Sequence, residues 1–301
     1  MKKNRYTIID LGSNSFQMLT VLKTDNGFSV FSKSKRKVRL ASGLDAQQRL
    51  SADTMQNGWS CLQQFKDELD QLQPFKVLVT ATAALRLAKN KHLFIEQAQK
   101  ILQQPIKLIS GIEEATTIYR GVAFTEQISK QLLVIDIGGA STELIIGKGK
   151  KILVATSLNM GCVTWLNHFF CDQQLSQGNF NAAIAAAKEI IKPQIQRYSE
   201  HRQELAMGAS GTIQAVNEIN QKQLISEELT LPLLNKIKLS CIACKKIDAL
   251  QIDGLKESRI PVFASGLSIL IALFESLNIQ SLKPSKGALR EGLISILFED
   301  C

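Results

Sequence analysis

The chain of 301 residues exceeds the ~150 typical of one domain, and its composition, 45% hydrophobic and 21% charged, is that of a globular protein, which excludes a disordered chain. Its 36 basic and 27 acidic residues leave a net charge of +9, an excess that suits either an anionic partner or simply a solvated surface. The basic start MKKNRYTIID is interrupted at Asp10 and Gly12, so it does not read as an export signal, and the longest apolar run, Phe263 to Phe274, falls short of the ~20 residues that span a bilayer. The expectation is a soluble, cytoplasmic protein without membrane association.

Along the chain, YTIIDLG, SFQMLTVLK and GFSVFSK read as three short strands joined by Gly and Asn turns. SADTMQNGW then opens a helix on a serine cap and holds helical spacing until Pro74. KVLVTAT reads as a strand, HLFIEQAQKIL as a helix, PIKLIS as a strand and GIEEATTIYRGVAF as a helix. The second half repeats the plan. QLLVIDIG, STELIIG and KKILVATSLN are strands, followed by helices from MGCVTWLNHFF and NFNAAIAAAKEIIKPQIQRY, the latter interrupted by Pro193. ELAMGAS reads as a strand, GTIQAVNEIN and the stretch about Leu231 to Leu250 as helices, IPVFASG as a strand running into a helix to Leu277, and GALREGLISILF as a final helix. Two βββαβαβα units result, predicted to divide at 1–124 and 125–301, with the last helix, about 287–299, returning to the first unit and a cleft between the two.

The phrase IIDLGSNSFQMLTVL, Ile8 to Leu22, is nearly repeated as VIDIGGASTELIIGK, Val134 to Lys148, at a constant offset of 126 residues from Asp10 to Asp136. Gly12 answers to Gly138, Ser15 to Ser141 and Gln17 to Glu143. A strand ending in Asp, a turn of small residues and a strand beginning in Ser or Thr lets a phosphate approach the backbone closely. Gly12, Ser13, Asn14 and Ser15 would do this on one side, and Gly138, Gly139, Ser141 and Thr142 on the other. Like charge keeps Asp10 and Asp136 from binding phosphate themselves, so a hard divalent cation, Mg²⁺ or another, is expected between them and the phosphate oxygens. Each hairpin could be an ordinary turn, but turns alone need not repeat Asp, Gly and Ser in register.

Three further stretches fit an anion cleft. In SGIEEATTIYRGV, Glu113 and Glu114 sit in a first helical turn, where acids complement the helix dipole, yet a carboxylate aimed at a phosphate could also activate water. MGASGT, with Gly208, Ser210 and Gly211, and FASGL each run from a predicted strand into a helix, a place for phosphate or merely a close-packed turn. Arg86 in TATAALR could grip a phosphate as a planar donor or lie on the surface. The basic run KSKRKVRL, with Lys35, Arg36 and Lys37, reads as a solvated face or an anion-binding stripe. Aromatics are few and no zinc finger, RNP motif or helix-turn-helix is present, so base-specific nucleic-acid binding is not expected. The six cysteines, including the CIAC pair Cys241 and Cys244, read as reduced helix and core residues, and His92, His168 and His201 show no catalytic spacing.

Taken together, IDLGSNSF, KRKVRLASGL, TATAALRLA, SG.EEA, VIDIGGASTEL, LNMGCVTWL, MGASGTIQA, SGLSIL and GALREGL resemble the Ppx/GppA family, the exopolyphosphatases and guanosine pentaphosphate phosphatases of the actin, Hsp70 and sugar kinase superfamily. The resemblance runs from about Tyr6 to Ile296, and KRKVRL, MGCVTWL and IDGL lean toward the guanosine pentaphosphate branch. It implies an α/β, duplicated ribonuclease H-like fold and Mg²⁺-dependent hydrolysis of a terminal phosphoanhydride bond in pppGpp or inorganic polyphosphate. It also implies Glu114 as the base for water, Asp136 and Glu143 in metal and water positioning, Asp10, Gly12, Ser13, Asn14 and Arg86 around the phosphates, and KRKVRL as a guide for the substrate. Gln17 stands where long relatives usually have His, and Ile112 where a polar residue often precedes EEA. The chain reads as a short, two-domain form without the helical region of long relatives, with a homodimer left open. A kinase on the same fold and a non-catalytic alarmone or polyphosphate sensor are the competing expectations.

Overall fold

A computed structural model of the chain describes residues 5–24, 27–126, 129–201, 203–224, 226 and 228–299. Cys301 and the first four residues of the basic start lie outside them.

In the first half, β1 (Arg5–Leu11), β2 (Phe16–Thr24) and β3 (Gly27–Arg36) form an antiparallel meander, followed by α1 (Ala52–Leu72), β4 (Lys76–Ala81), α2 (Ala83–Leu87), α3 (Lys91–Leu102), β5 (Ile106–Leu108) and α4 (Gly111–Glu126). The expected serine cap of α1 is present: the Ser51 hydroxyl accepts from the Thr54 N–H. The second half repeats the meander as β6 (Gln131–Ile137), β7 (Thr142–Lys148) and β8 (Lys151–Leu158). It continues through α5 (Cys162–Phe169), α6 (Gln177–Ile191), α7 (Ile195–Ser199), β9 (Leu205–Gly208), α8 (Gly211–Gln223), α9 (Leu231–Cys244), α10 (Ile260–Leu277), β10 (Lys283–Pro284) and α11 (Leu289–Glu299).

The two five-stranded sheets have the same order, β3-β2-β1-β4-β5 and β8-β7-β6-β9-β10, and in each only the second strand of the meander runs against the rest. This is the ribonuclease H-like arrangement, present twice. The duplication reaches an irregularity that the sequence did not announce. The register slips between Thr20 and Val21 in the first sheet and between Ile146 and Gly147 in the second, again 126 residues apart.

One predicted strand is absent. IPVFASG lies within α10, where Pro261 occupies the first turn, a place that proline tolerates. The fifth strand of the second sheet is instead the two-residue β10. FASGL is therefore mid-helix and buried, not a strand-to-helix turn. The segment Glu257–Leu277, with mean hydropathy 1.9, is long and apolar enough to cross a membrane, more than the run Phe263 to Phe274 suggested. Every residue from Val262 to Phe274 is nevertheless buried within the protein, as in a core helix.

The sheets and helices stack in layers. Phe65 and Phe94, from α1 and α3, pack with Ile9, Leu11 and Phe16 on the outer face of the first sheet. α5, α6, α8 and α10 cover the outer face of the second. Between the sheets lies a shared core in which Ile8 and Val21 of one sheet and Val134 and Ile145 of the other enclose α4 and α11. α4 lies against β7 and β8 of the second sheet, and α11 against β1 of the first and against α4. The α4–α11 approach leaves no room for side chains. A Cβ on Gly121 would stand 2.7 Å from the Gly292 nitrogen, and one on Gly292 would stand 2.8 Å from the Thr117 carbonyl carbon. The two helices thereby fix how the halves meet.

Candidate active site

The two hairpin turns meet across a cavity of about 680 Å³ between the sheets. They touch: a Cβ on Gly139 would come within 2.8 Å of the Ser13 Cβ, so glycine is required there by close approach. Asp10, Gly12, Ser13, Asn14 and Ser15 line the cavity from the first turn, and Asp136, Gly138, Gly139 and Ser141 from the second. The first turn is held from behind, because Arg39 N–H donates to the Asn14 carbonyl (3.0 Å) and Ala41 N–H to that of Ser13 (2.9 Å). The Ser13 hydroxyl accepts from the Ala84 N–H at the start of α2 (3.0 Å). Thr142 is drawn away, since its hydroxyl donates to the Met160 carbonyl (2.7 Å) and its side chain does not reach the cavity.

Four carboxylates converge here. Asp10, Glu114 and Asp136 line the cavity, and Glu143 lies in register beside Asp136, 1% exposed, with its Oε1 accepting from Ser157 (2.7 Å). Burial first, then the mutual repulsion of the group, pushes Asp10 and Asp136 up to about 7 and Glu143 well above the usual carboxylate range, while Arg290 pulls both aspartates back down. Asp10 Oδ1 is buried with no hydrogen-bond partner among the described residues. Gln17, paired with Asp10 as Glu143 is with Asp136, also lines the cavity.

The two glutamates that open α4 separate cleanly. Glu113 closes a capping box, its carboxylate accepting from Ser110 N–H (2.8 Å) while Ser110 Oγ accepts from Glu113 N–H (3.1 Å), and it lies exposed. Glu114, one residue on, turns into the cavity and is 7% exposed. Burial raises its carboxyl, and the Arg86 guanidinium opposes this through an ion pair at 2.5 Å. Arg86 also donates to the Ile109 carbonyl (3.2 Å) and stands behind Glu114 rather than on the cavity wall.

The basic stretch obeys strand alternation. Lys33 and Lys35 face the cavity, whereas Ser34 and Arg36 point to the other side of β3 and both bind Glu68 of α1, at 2.5 and 3.1 Å. The structure thus sets Arg36 apart from the cleft, so an anion-binding stripe along this run does not include it. Lys37 also lies off the cavity wall and donates through Nζ to the Ser258 carbonyl, bridging the two halves. Lys35 is pushed down to about 8 by burial and by Arg259, Arg290, Lys33 and Lys37, the signature of cations gathered without an anion.

At the far wall, Ser210 and Gly211 begin α8 and line the cavity, and the Ser210 hydroxyl is buried without a hydrogen-bond partner among the described residues. Gly208 is tucked under Ile213 and does not line it. Arg259, Lys286 and Arg290 complete the cationic lining, and sequence reasoning singled out none of them. Arg259 precedes α10 directly, while Lys286 and Arg290 flank the start of α11, and only GALREGL, as a phrase, had marked the neighbourhood of Arg290. Cys162 also lines the cavity, with its thiol pushed up to about 11 by burial. None of the histidines does.

Comparison with known proteins agrees with this architecture. The chain is 49% identical over 295 residues to the guanosine-5'-triphosphate,3'-diphosphate pyrophosphatase of Vibrio parahaemolyticus, and equally to that of Vibrio cholerae. The match covers 98% of this chain but 59% of each of those proteins, so the chain spans about three-fifths of their length. Among solved structures, an exopolyphosphatase from Cytophaga hutchinsonii superposes with a TM-score of 0.89 at 23% identity, covering 98% of both chains. The Ppx/GppA family member from Aquifex aeolicus gives 0.78 at 22% identity, covering 99% of this chain and 98% of that one. These two likenesses speak to the fold. The sequence profile of the Ppx/GppA phosphatase family matches residues 20–299, nearly the whole chain, and with the relatives at 49% identity it establishes that the chain belongs to the Ppx/GppA phosphatase family.

Proposed function

We propose that the chain is a cytoplasmic phosphoanhydride hydrolase that removes the terminal phosphate of guanosine pentaphosphate, pppGpp, or of inorganic polyphosphate, with a divalent cation, Mg²⁺, as cofactor. The observation that carries this reading is the polarity of one cavity. Buried Asp10 and Glu114 and half-buried Asp136 line it together with the cations Lys33, Lys35 and Arg259. A polyphosphate chain with a cation at its reacting end neutralises both. The naming of the Vibrio relatives supports pppGpp as one substrate.

The residues fit a hard cation. Asp10 Oδ1 is a buried carboxylate oxygen without a hydrogen-bond partner among the described residues, and Asp136 lines the same cavity, a hard-oxygen donor set. Among the described residues no three of His, Cys, Asp or Glu form a ready-made metal site; Mg²⁺ is commonly held by one or two carboxylates with waters and substrate phosphates. Asp10 and Asp136 would hold it. When bound, it would neutralise charge on the phosphate oxygens and on the two aspartates.

The chain's own groups would divide the remaining work. Glu114, its carboxylate paired with the Arg86 guanidinium, accepts a proton from water. The water oxygen forms a bond to the terminal phosphorus, and the bond from phosphorus to the bridging oxygen breaks. That bond's electron pair leaves with the shortened phosphate chain, and orthophosphate is released. Ser210 and Gly211 present the start of α8 to phosphate oxygens, and the small turns Gly12 to Ser15 and Gly138 to Ser141 let the chain of phosphates lie close to the backbone. The halves 1–124 and 125–301 would open and close about the α4–α11 contact.

Phosphate release measured in parallel from pppGpp, long and short polyphosphate, and ATP, with and without Mg²⁺, tests the reading. Metal-dependent release from pppGpp or polyphosphate in excess of that from ATP is expected. Binding without release would favour the sensor, and a phosphorylated acceptor formed from ATP would favour a kinase.

A further inference from the structure

Two arginines stand near the carboxylates, and their surroundings differ. Arg86 is spent: its Nη1 donates to Glu114 Oε2 at 2.5 Å and to the Ile109 carbonyl at 3.2 Å, and it does not line the cavity. Arg290, in the first turn of α11, does line it, is half-buried, and makes no hydrogen bond or ion pair among the described residues. Its charge acts on Asp10, Asp136 and Lys35, all of which line the same cavity. A guanidinium desolvated this far and left unpaired is poised for an anion that the protein itself does not supply.

The helix beneath Arg290 is held firmly. Ala288 N–H donates to Glu291 Oε2 (2.9 Å), capping the start of α11, and Ser285 Oγ donates to the Gly287 carbonyl (2.9 Å). Gly292 and Gly121 let α11 lie backbone-to-backbone on α4, the helix whose first turn carries Glu114. Glu114 and Arg290 therefore project into one cavity from two helices that cannot slide apart, the rigid support that a reacting pair of groups needs.

We propose that Arg290 is the catalytic guanidinium that meets the transferred phosphoryl group, and that Arg86 is a positioning residue that acts through Glu114. This rests on the hydrolase reading above. As the bond to the bridging oxygen breaks, charge spreads over the equatorial oxygens of the phosphoryl group, and the planar fork of Arg290 would bind two of them.

The test compares wild type with Arg290→Gln, Arg290→Lys, Arg86→Gln and, as a surface control, Arg120→Gln, whose side chain pairs with Glu299 on the exterior. Steady-state phosphate release from pppGpp and polyphosphate is measured with Mg²⁺ across pH, together with calorimetric binding of inorganic tripolyphosphate and thermal melting. Arg290→Gln should lower kcat at least ~100-fold. Arg290→Lys, which keeps the charge and the fold but loses the fork, should recover only part of this, and added guanidinium ion should rescue Arg290→Gln but not Arg86→Gln. Arg86→Gln should instead move the acidic limb of the pH profile upward, because Glu114 loses the cation paired with its carboxylate. Arg120→Gln should match wild type. Near-normal kcat in a folded Arg290→Gln, or rescue of Arg86→Gln in its place, would overturn the assignment. If wild type itself releases no phosphate, the hydrolase reading fails and Arg290 is judged by binding. A tenfold or greater loss of tripolyphosphate affinity in Arg290→Gln would retain it as the phosphate ligand, and unchanged affinity would remove it.

Discussion

Replacing Gly139 by alanine tests whether contact between the two turns matters to catalysis. The added Cβ would lie 2.8 Å from the Ser13 Cβ and 3.2 Å from the Asn14 nitrogen, and these neighbours are tied by backbone hydrogen bonds to residues 39–41. Ordinary contact begins near 3.4 Å, so the turns must part by about 0.6 Å. Overpacking of this kind costs roughly 1–3 kcal/mol when the surroundings cannot give. Here the obstacle stands between turns that belong to different sheets, so much of the effect should appear in the geometry of the cleft. Misplacement by about 1 Å costs up to ~100-fold in rate, so a fall in kcat/KM of roughly tenfold is expected, with at most a few degrees lost in Tm. Gly178→Ala serves as control. Its nearest neighbour is Ser176 Oγ at 3.7 Å, and in the first turn of α6 the change should leave kinetics alone and stabilise by up to ~1 kcal/mol. Phosphate release and thermal melting of both variants decide the matter. A Gly139→Ala protein with wild-type kcat/KM would refute the claim that the touching turns set the reacting geometry.

Lys35, held down to about 8, carries its charge below that pH and loses it above. The affinity for tripolyphosphate should therefore weaken as pH rises above about 8, with proton uptake on binding in that range, and both effects should be lost in Lys35→Met. In the ligand-free protein the sign reverses. The native state holds fewer protons than the unfolded chain between about 8 and the usual lysine value of 10.5, so stability should rise with pH across that window, as pH-dependent melting would show. Mg²⁺ at saturating concentration should raise the Tm of wild type, by the equivalent of about 2.7 kcal/mol at 100 times Kd, and leave Asp136→Asn unmoved. Equal shifts in the two proteins would place the cation elsewhere.

The fold was legible where the sequence speaks in short-range patterns. The repeated Asp-Gly-Ser hairpin exposed the duplication, because turns need particular residues at fixed spacing, and the meanders followed from alternation. α10 was misread at its start because a helix buried on all sides has no amphipathic period, and IPVFASG then resembles a buried strand. β10 is too short to carry any period. At the site, Glu113 could have been set aside by the Ser110–Glu113 capping box, which is written in the sequence, and the outward turn of Arg36 by period-two alternation from Lys33 and Lys35. Arg259 and Arg290 were not legible. Each is a lone arginine near a helix start, and only tertiary packing, for Arg290 that of α11 on α4 and β1, brings them to the hairpins.

The central claim is that Glu114 takes the proton from the attacking water. Phosphate release by Glu114→Gln, with tripolyphosphate binding measured on the same preparation, tests it most directly. Turnover reduced at least ~100-fold with binding nearly intact is expected. Turnover close to wild type in a variant that still binds would contradict it.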